Sequence, residues 1–293
     1  MHTFIPAYLT SLFTRKPLII WVVDILRKPQ DELSLVKLLV NRVRSGSPVI
    51  LALRFVFLHL LRRMAVKNAG ACFVGGGTTA HYVRRYLSAK NVHLTRSGID
   101  ELWFDPPAQP ILFEGAYLGR IDFQKGLDVL LKAWQRVLRK KENAKLIIIG
   151  SGNEKSEHRL RDEISSLELS RNVNLAGYLE GRELVTKLSS ARIFIFPSKS
   201  EGKPIAVDEA MAAGLPCVIS DIPALREVYS QSAILVSPDD PQSWGEEILK
   251  LLDRPELMKG LSVKGKELVS DQTWDKVAIH EYNIIKSFLK NPT

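Results

Sequence analysis

Two carboxylates, Glu201 and Glu209, stand eight positions apart within P-S-K-S-E-G-K-P-I-A-V-D-E-A-M-A-A-G, residues 197–214. The apolar run 193–196 leads into this stretch as a short buried strand. A turn rich in Ser, Lys, Gly and Pro follows, then a helical period. Pro204 suits the first helical turn, where a missing N–H costs nothing, and Gly214 suits the end. On a strand–turn–helix unit this spacing aims both acids into the crevice at the strand's C-terminal edge, where open α/β sheets bind ligands. The N–H groups of Gly202 and Lys203, together with the helix dipole, favour an anion there.

The elements that must position these groups follow from the apolar patterning. Beyond the Pro-rich stretch at Pro106, Pro107 and Pro110, strands are expected at 111–118, 145–149, 172–176, 192–196, 216–219 and 233–236. Helices are expected near 126–141, 155–168, 181–189, 204–213 and 241–252, and two more near 255–269 and 274–289. Regular alternation with continuous apolar strands predicts an α/β fold whose second part is a doubly wound parallel sheet. In the first part, Leu18–Val23 reads as a strand, 33–44 as an amphipathic helix, and 49–67 as a helix apolar first and basic last. Strands at 71–74 and 92–95 follow, and Gly75-Gly76-Gly77-Thr78-Thr79 between strand and helix could cradle a phosphate or simply turn the chain. The expected domains are 1–107, 108–270, and a C-terminal helix within 271–293 that crosses back.

The 293 residues suffice for two domains, and 45% hydrophobic with 25% charged residues is a soluble composition. Net charge is +9 and uneven: residues 1–110 hold 15 Lys/Arg and 6 Asp/Glu, residues 111–293 hold 26 of each. A basic first third points to an anionic neighbour, such as phospholipid headgroups or lipid-linked phosphate. No recognised nucleic-acid motif accompanies the charge, so nucleic acid is not the expected partner. Cys72 and Cys217 lie in apolar runs and read as reduced core thiols. With neither a signal pattern nor a span-length run, a cytoplasmic protein is expected, in peripheral contact with the inner face of the membrane if helix 49–67 lies on a bilayer rather than in a core.

The stretch 197–214 resembles the E-x7-E signature of the retaining family-four glycosyltransferases (glycosyl transferases group 1), which have the GT-B fold of two Rossmann-like domains. Ser198, Glu201, Gly202, Pro204, Glu209, Ala210, Met211, Ala212 and Gly214 fall in register with it. Phe113 to Asp128 resembles the Gly-Arg-…-Lys-Gly segment that opens the family's donor domain. Leu146 to Gly152 resembles its strand-Gly-x-Gly element, Leu175 to Tyr178 its Leu-Gly-Tyr loop, and Trp274 to Ala278 the start of its last helix.

The resemblance implies transfer of a sugar from a nucleotide-diphosphate donor with retention of configuration, and no cofactor or metal. It assigns Arg120 and Lys125, flanked by Gly119 and Gly126, as a diphosphate clamp, a role suited to a guanidinium fork and a compact ammonium. It gives Glu201 sugar orientation and charge stabilisation, and Glu209 the ribose, since one carboxylate can accept from two vicinal hydroxyls. Gly152, Gly177, Tyr178, Leu179, Gly202, Lys203, Pro204 and Ile205 complete the implied donor site. Asp208 reads as a solvent or packing neighbour of Glu209. On the acceptor side stand Asp24, Gly76 and Gly77.

The first domain departs from the family pattern. The recognisable part begins only at Leu18, so a shortened N-terminal domain is expected, with Val23 at the family's histidine, Ser97 at its asparagine and Gly76 at a common serine. Three readings stay open: a minimal transferase acting on a carbohydrate or lipid-linked acceptor, the donor-binding part of a split enzyme completed by a partner chain, and a nucleotide-sugar binder without turnover.

Overall fold

The computed structural model describes residues 19–22, 64, 67–75, 80, 83–84 and 91–290. The helices expected at 33–44 and, but for Met64 and Lys67, at 49–67 lie outside the described residues, as do Asp24, Gly76 and Gly77. The chain divides into two units, residues 1–96 with 278–293 and residues 97–277.

The first unit holds strands β1 (Ile19–Val22), β2 (Ala71–Val74) and β3 (Val92–Leu94), parallel and in spatial order β1-β2-β3. All four side chains of β2 are buried, as expected of a strand between two neighbours. Cys72 among them is a free thiol that burial pushes up to about 11.

The second unit alternates strand and helix: β4 (Phe113–Leu118), α1 (Leu127–Leu138), β5 (Leu146–Ile149), α2 (Glu154–Ser166), β6 (Val173–Gly177), α3 (Gly181–Ser189), β7 (Ala191–Phe196), α4 (Ile205–Ala212), β8 (Cys217–Ser220), α5 (Pro223–Tyr229), β9 (Ala233–Val236) and α6 (Pro241–Leu252). Then come α7 (Pro255–Val269) and α8 (Trp274–Lys290). All six strands are parallel, in spatial order β6-β5-β4-β7-β8-β9. The strand order reverses between β4 and β7, the kind of switch point at which open α/β sheets bind ligands beyond their strand ends. Arg120 and Lys125 follow β4, and Glu201 and Glu209 follow β7.

The central strands are apolar throughout because helices cover both faces: β5 is Leu-Ile-Ile-Ile and fully buried. Helix α1 lays Leu127, Leu130, Leu131, Trp134 and Val137 against the sheet at helical spacing. Helix α4 is buried over most of its surface, with Val207, Asp208, Ala210, Met211 and Ala212 inside. It ends in a Schellman turn, the N–H groups of Gly214 and Leu215 returning to the carbonyls of Met211 and Ala210.

Strand and helix bounds agree with the patterning to within three residues, with two differences in detail. Helix α5 was not expected; its seven residues are too few to show a period, and Pro223 at its first turn reads equally as loop. Pro204 caps α4 from outside, with extended ψ of 118°, rather than sitting in its first turn. The division between units falls at 96/97, ahead of the Pro-rich stretch, because Ile99 and Trp103 belong to the core of the second unit. At the other end it falls inside α8.

Candidate functional site

The loops after β4 and β7 are laced to each other by their own backbone. The amide of Lys199 donates to the carbonyl of Gln124 (2.7 Å), and the Ser198 hydroxyl approaches the same oxygen at 3.3 Å. Close approach is possible because residue 126 is glycine. It has φ of +67°, and a Cβ there would lie 2.0 Å from the Pro197 carbonyl oxygen. Gly126→Ala is therefore expected to destabilise the fold by about 2 kcal/mol. A lower denaturant midpoint at unchanged slope would report it.

Across the laced loops, Lys125 Nζ meets Glu201 Oε1 at 2.5 Å, with both side chains largely withdrawn from solvent. The ammonium also stands 5.7 Å from the centre of the Phe196 ring, which favours a cation. Arg120 is different: its side chain is 77% exposed and holds only a loose pair with Asp122 at 3.4 Å. Its carbonyl accepts from the buried Tyr117 hydroxyl, which ties down the backbone at the base of the exposed guanidinium.

Beside these groups a cavity of 460 Å³ opens at the C-terminal ends of β4, β5 and β6. Of the residues expected in a donor site, Gly119, Arg120, Tyr178, Leu179 and Glu209 line it. Tyr178 is 69% exposed, on the rim. The floor is tight at Gly150, where a Cβ would stand 1.9 Å from the Gly119 carbonyl oxygen at φ of +136°.

The remaining expected residues lie off this cavity. Lys125 lies in the loop after β4, Glu201, Gly202, Lys203 and Pro204 in the loop after β7, and Ile205 begins α4, with Gly202 and Ile205 exposed. Gly177 ends β6 just below Tyr178. Gly152 gives its N–H to Glu157 (3.1 Å) and pairs with Ile121, so its place is one of packing between loops.

Lys203 turns its side chain inward, to Gln272 (3.0 Å) and Asp208 (3.3 Å). Asp208 is not a solvent-facing neighbour of Glu209: it is wholly buried and accepts the Tyr229 hydroxyl at 2.8 Å. Helix α4 has no side-chain cap, which leaves its first-turn N–H groups open to an anion.

Glu209 is half-buried in the cavity wall, and its carboxyl is pushed up to about 7. Burial is the main cause and the negative charge of Asp208 adds to it; a hydrogen bond from Trp103 opposes and Asp100 contributes a little. Asp100 and Trp103 also line the cavity and were missed. Asp100 caps the 3₁₀ turn Glu101–Trp103 by accepting from the Leu102 amide, which sets the indole against the wall. The signal in the sequence was the capped turn directly after Gly98-Ile99-Asp100, which reads locally as part of the first domain.

The model of the family described as glycosyl transferases group 1 matches residues 113–268. An uncharacterized glycosyltransferase of Methanocaldococcus jannaschii is 31% identical over 175 residues, covering 58% of this chain and 44% of that protein. A GDP-mannose-dependent monoacylated alpha-(1-6)-phosphatidylinositol monomannoside mannosyltransferase of Corynebacterium glutamicum is 28% identical over 234 residues, covering 70% and 60%. The chain thus spans about half the length of the curated relatives it matches. Among solved structures, Anabaena HepE in complex with UDP superimposes with a TM-score of 0.76 over 96% of this chain and 75% of that one. At 15% identity this likeness is one of fold.

Proposed function

Because this chain belongs to the glycosyl transferases group 1 family and has its GT-B-like α/β fold, we propose that it transfers a sugar from a nucleoside-diphosphate sugar with retention of configuration. The observation that carries the reading is Glu209 in the wall of a 460 Å³ cavity at the strand ends, with Lys125 and Glu201 paired across the two adjoining loops. That volume is within the range of nucleotide-sized pockets. The base and ribose enter between Tyr178, Leu179 and Trp103, and Glu209 accepts from the ribose hydroxyls. The diphosphate lies toward Arg120, Lys125 and the open first turn of α4. Glu201 holds Lys125 in place and orients the sugar. As the glycosidic bond to the diphosphate breaks, these cations and N–H groups stabilise the charge that develops on the leaving oxygen. The leaving phosphate then takes the proton of the acceptor hydroxyl.

The named substrates of relatives support the donor class: the Corynebacterium enzyme is named for GDP-mannose, and the Anabaena structure holds UDP. The former is also named for a lipid, which together with the basic first 110 residues supports a lipid-linked acceptor and contact with an anionic membrane surface. No described helix is long and apolar enough to cross a membrane.

Isothermal titration of the purified chain with UDP, GDP and ADP tests the reading, with tight binding of one of them expected. Affinity should depend on pH. With its proton affinity raised to about 7, Glu209 is largely protonated at pH 6 and loses an acceptor for the ribose. Nucleotide affinity is therefore expected to rise from pH 6 to pH 8, by at most about tenfold per pH unit. Binding at pH 6 should release a proton, read as a dependence of the heat on buffer ionisation. The stability of the free protein runs the other way. Glu209's contribution is fully present below its unfolded value of 4.5 and is lost as pH rises through about 7. Absence of binding at every pH would sink the proposal.

A further inference from the structure

The charged lining of the cavity is unbalanced for a site that takes an anionic ligand. Among the described residues three acids line it, Asp100, Glu180 and Glu209, against one cation, Arg120. Carboxylates only accept hydrogen bonds, so the part of a ligand that lies here must be rich in donors. Two of the acids have a task. Asp100 accepts from the Leu102 amide at 2.9 Å, and Glu209 is given to the ribose hydroxyls. Glu180 stands at the N-cap of α3, yet its side chain makes no capping bond there. That duty suits the shorter Ser, Thr, Asp or Asn. Instead the Glu180 carboxylate accepts from the Tyr178 hydroxyl at 3.1 Å, which leaves sites on it for further donors.

The strand order says which part of a nucleotide reaches Glu180. Glu209 is on the helix after β7 and Glu180 follows β6, with β4 and β5 between those strands. That is three strand spacings, about 14 Å before the reach of the two side chains is subtracted. A nucleoside with its ribose at Glu209 therefore carries the outer edge of its base to the β6 side. Leu118, Ile149, Leu184 and Val185 line the cavity on the way, apolar surface suited to the faces of a flat ring. We propose that Glu180 reads the base and that the donor is a guanine nucleotide. The N1–H and the 2-amino group of guanine are adjacent donors, and the two oxygens of one carboxylate can accept them together. Uracil offers a single N–H between two carbonyl oxygens, and adenine an amino group beside a ring acceptor. Either base turns an acceptor toward the carboxylate, and that repulsion discriminates against it.

The inference rests on the donor-site reading of this cavity, and the test keeps the two apart. The full chain is titrated calorimetrically with GDP, UDP, ADP and IDP, the last being GDP without its 2-amino group. GDP should bind about tenfold or more tighter than UDP and ADP. IDP should bind about tenfold less tightly than GDP, the effect of one hydrogen bond to a charged acceptor. Glu180 is exposed, so Glu180→Ala should fold as the wild type does. In that variant the gap between GDP and IDP should close. Glu209→Ala, by contrast, should weaken all four nucleotides alike, since each carries the same ribose. Tightest binding of UDP or ADP would overturn the guanine assignment while leaving the donor site in place. GDP and IDP bound alike by the wild type, or a gap that survives Glu180→Ala, would overturn the role of Glu180. Binding of no nucleotide would bring down the donor site and this inference together.

Discussion

Lys125→Ala is expected to lower glycosyl transfer by about a hundredfold or more, measured as nucleoside-diphosphate release in the presence of acceptor. Removing one preorganised donor to a developing negative charge has an effect of about this size. In this protein the lysine is preorganised in three ways: by Glu201 at 2.5 Å, by the Phe196 ring, and by the lacing of its loop to Lys199. The variant also leaves Glu201, with a side chain only 10% exposed, without its cation. A loss of stability should therefore accompany the loss of rate. Arg120→Ala makes a useful contrast. Its guanidinium is mostly in water and paired loosely, so turnover should fall with little change in stability. Unchanged turnover in both variants would remove the diphosphate clamp from the mechanism.

Glu209→Ala should weaken nucleotide binding by about 10- to 100-fold at pH 8, where the wild-type side chain is ionised. That factor corresponds to losing hydrogen bonds to a charged acceptor, about 1.5–3 kcal/mol. The folded chain should tolerate the change, because ionising Glu209 in its half-buried position already opposes folding. A double-mutant comparison locates the contact. A nucleotide lacking a ribose hydroxyl should lose affinity for the wild type but lose little more for the variant. Full additivity of the two losses would mean that Glu209 and the ribose do not meet.

Much of the second unit was legible in the sequence, for reasons that particular elements make plain. Leu146–Ile149 and Ile193–Phe196 are apolar without alternation because both faces of the sheet are covered, and Pro-bounded helices such as α6 announce their own ends. The E-x7-E spacing, with Gly214 closing its helix, marks α4 from the residues alone. What escaped depends on pairings between distant positions. Trp103 joins the cavity only because 97–104 packs with the second unit, and no local pattern shows that Ile99 bonds Gln272, far along the chain. Pro106 and Pro107 were a clear composition signal, but they lie in an irregular connection within the unit. Asp208 reads as a solvent or a packing residue alike, because Tyr229, which settles that it is packed inside, comes from a seven-residue helix that shows no period of its own.

The Ile99–Gln272 bond of 2.7 Å and the parallel bridge between Ile99 and Thr273 bring the second unit's two ends side by side. Gly98 lies so close under Trp274 that a Cβ there would be 2.2 Å from the indole. A segment that leaves where it entered closes its own loop, so most of its chain-ordering entropy is spent within itself. Such a segment is a topological cassette. It has its own core, and its seam is a short stretch where the polypeptide can be cut and rejoined with that core left intact. Such a unit can be transplanted whole, its core and the cavity at its strand ends kept while the flanking chain changes.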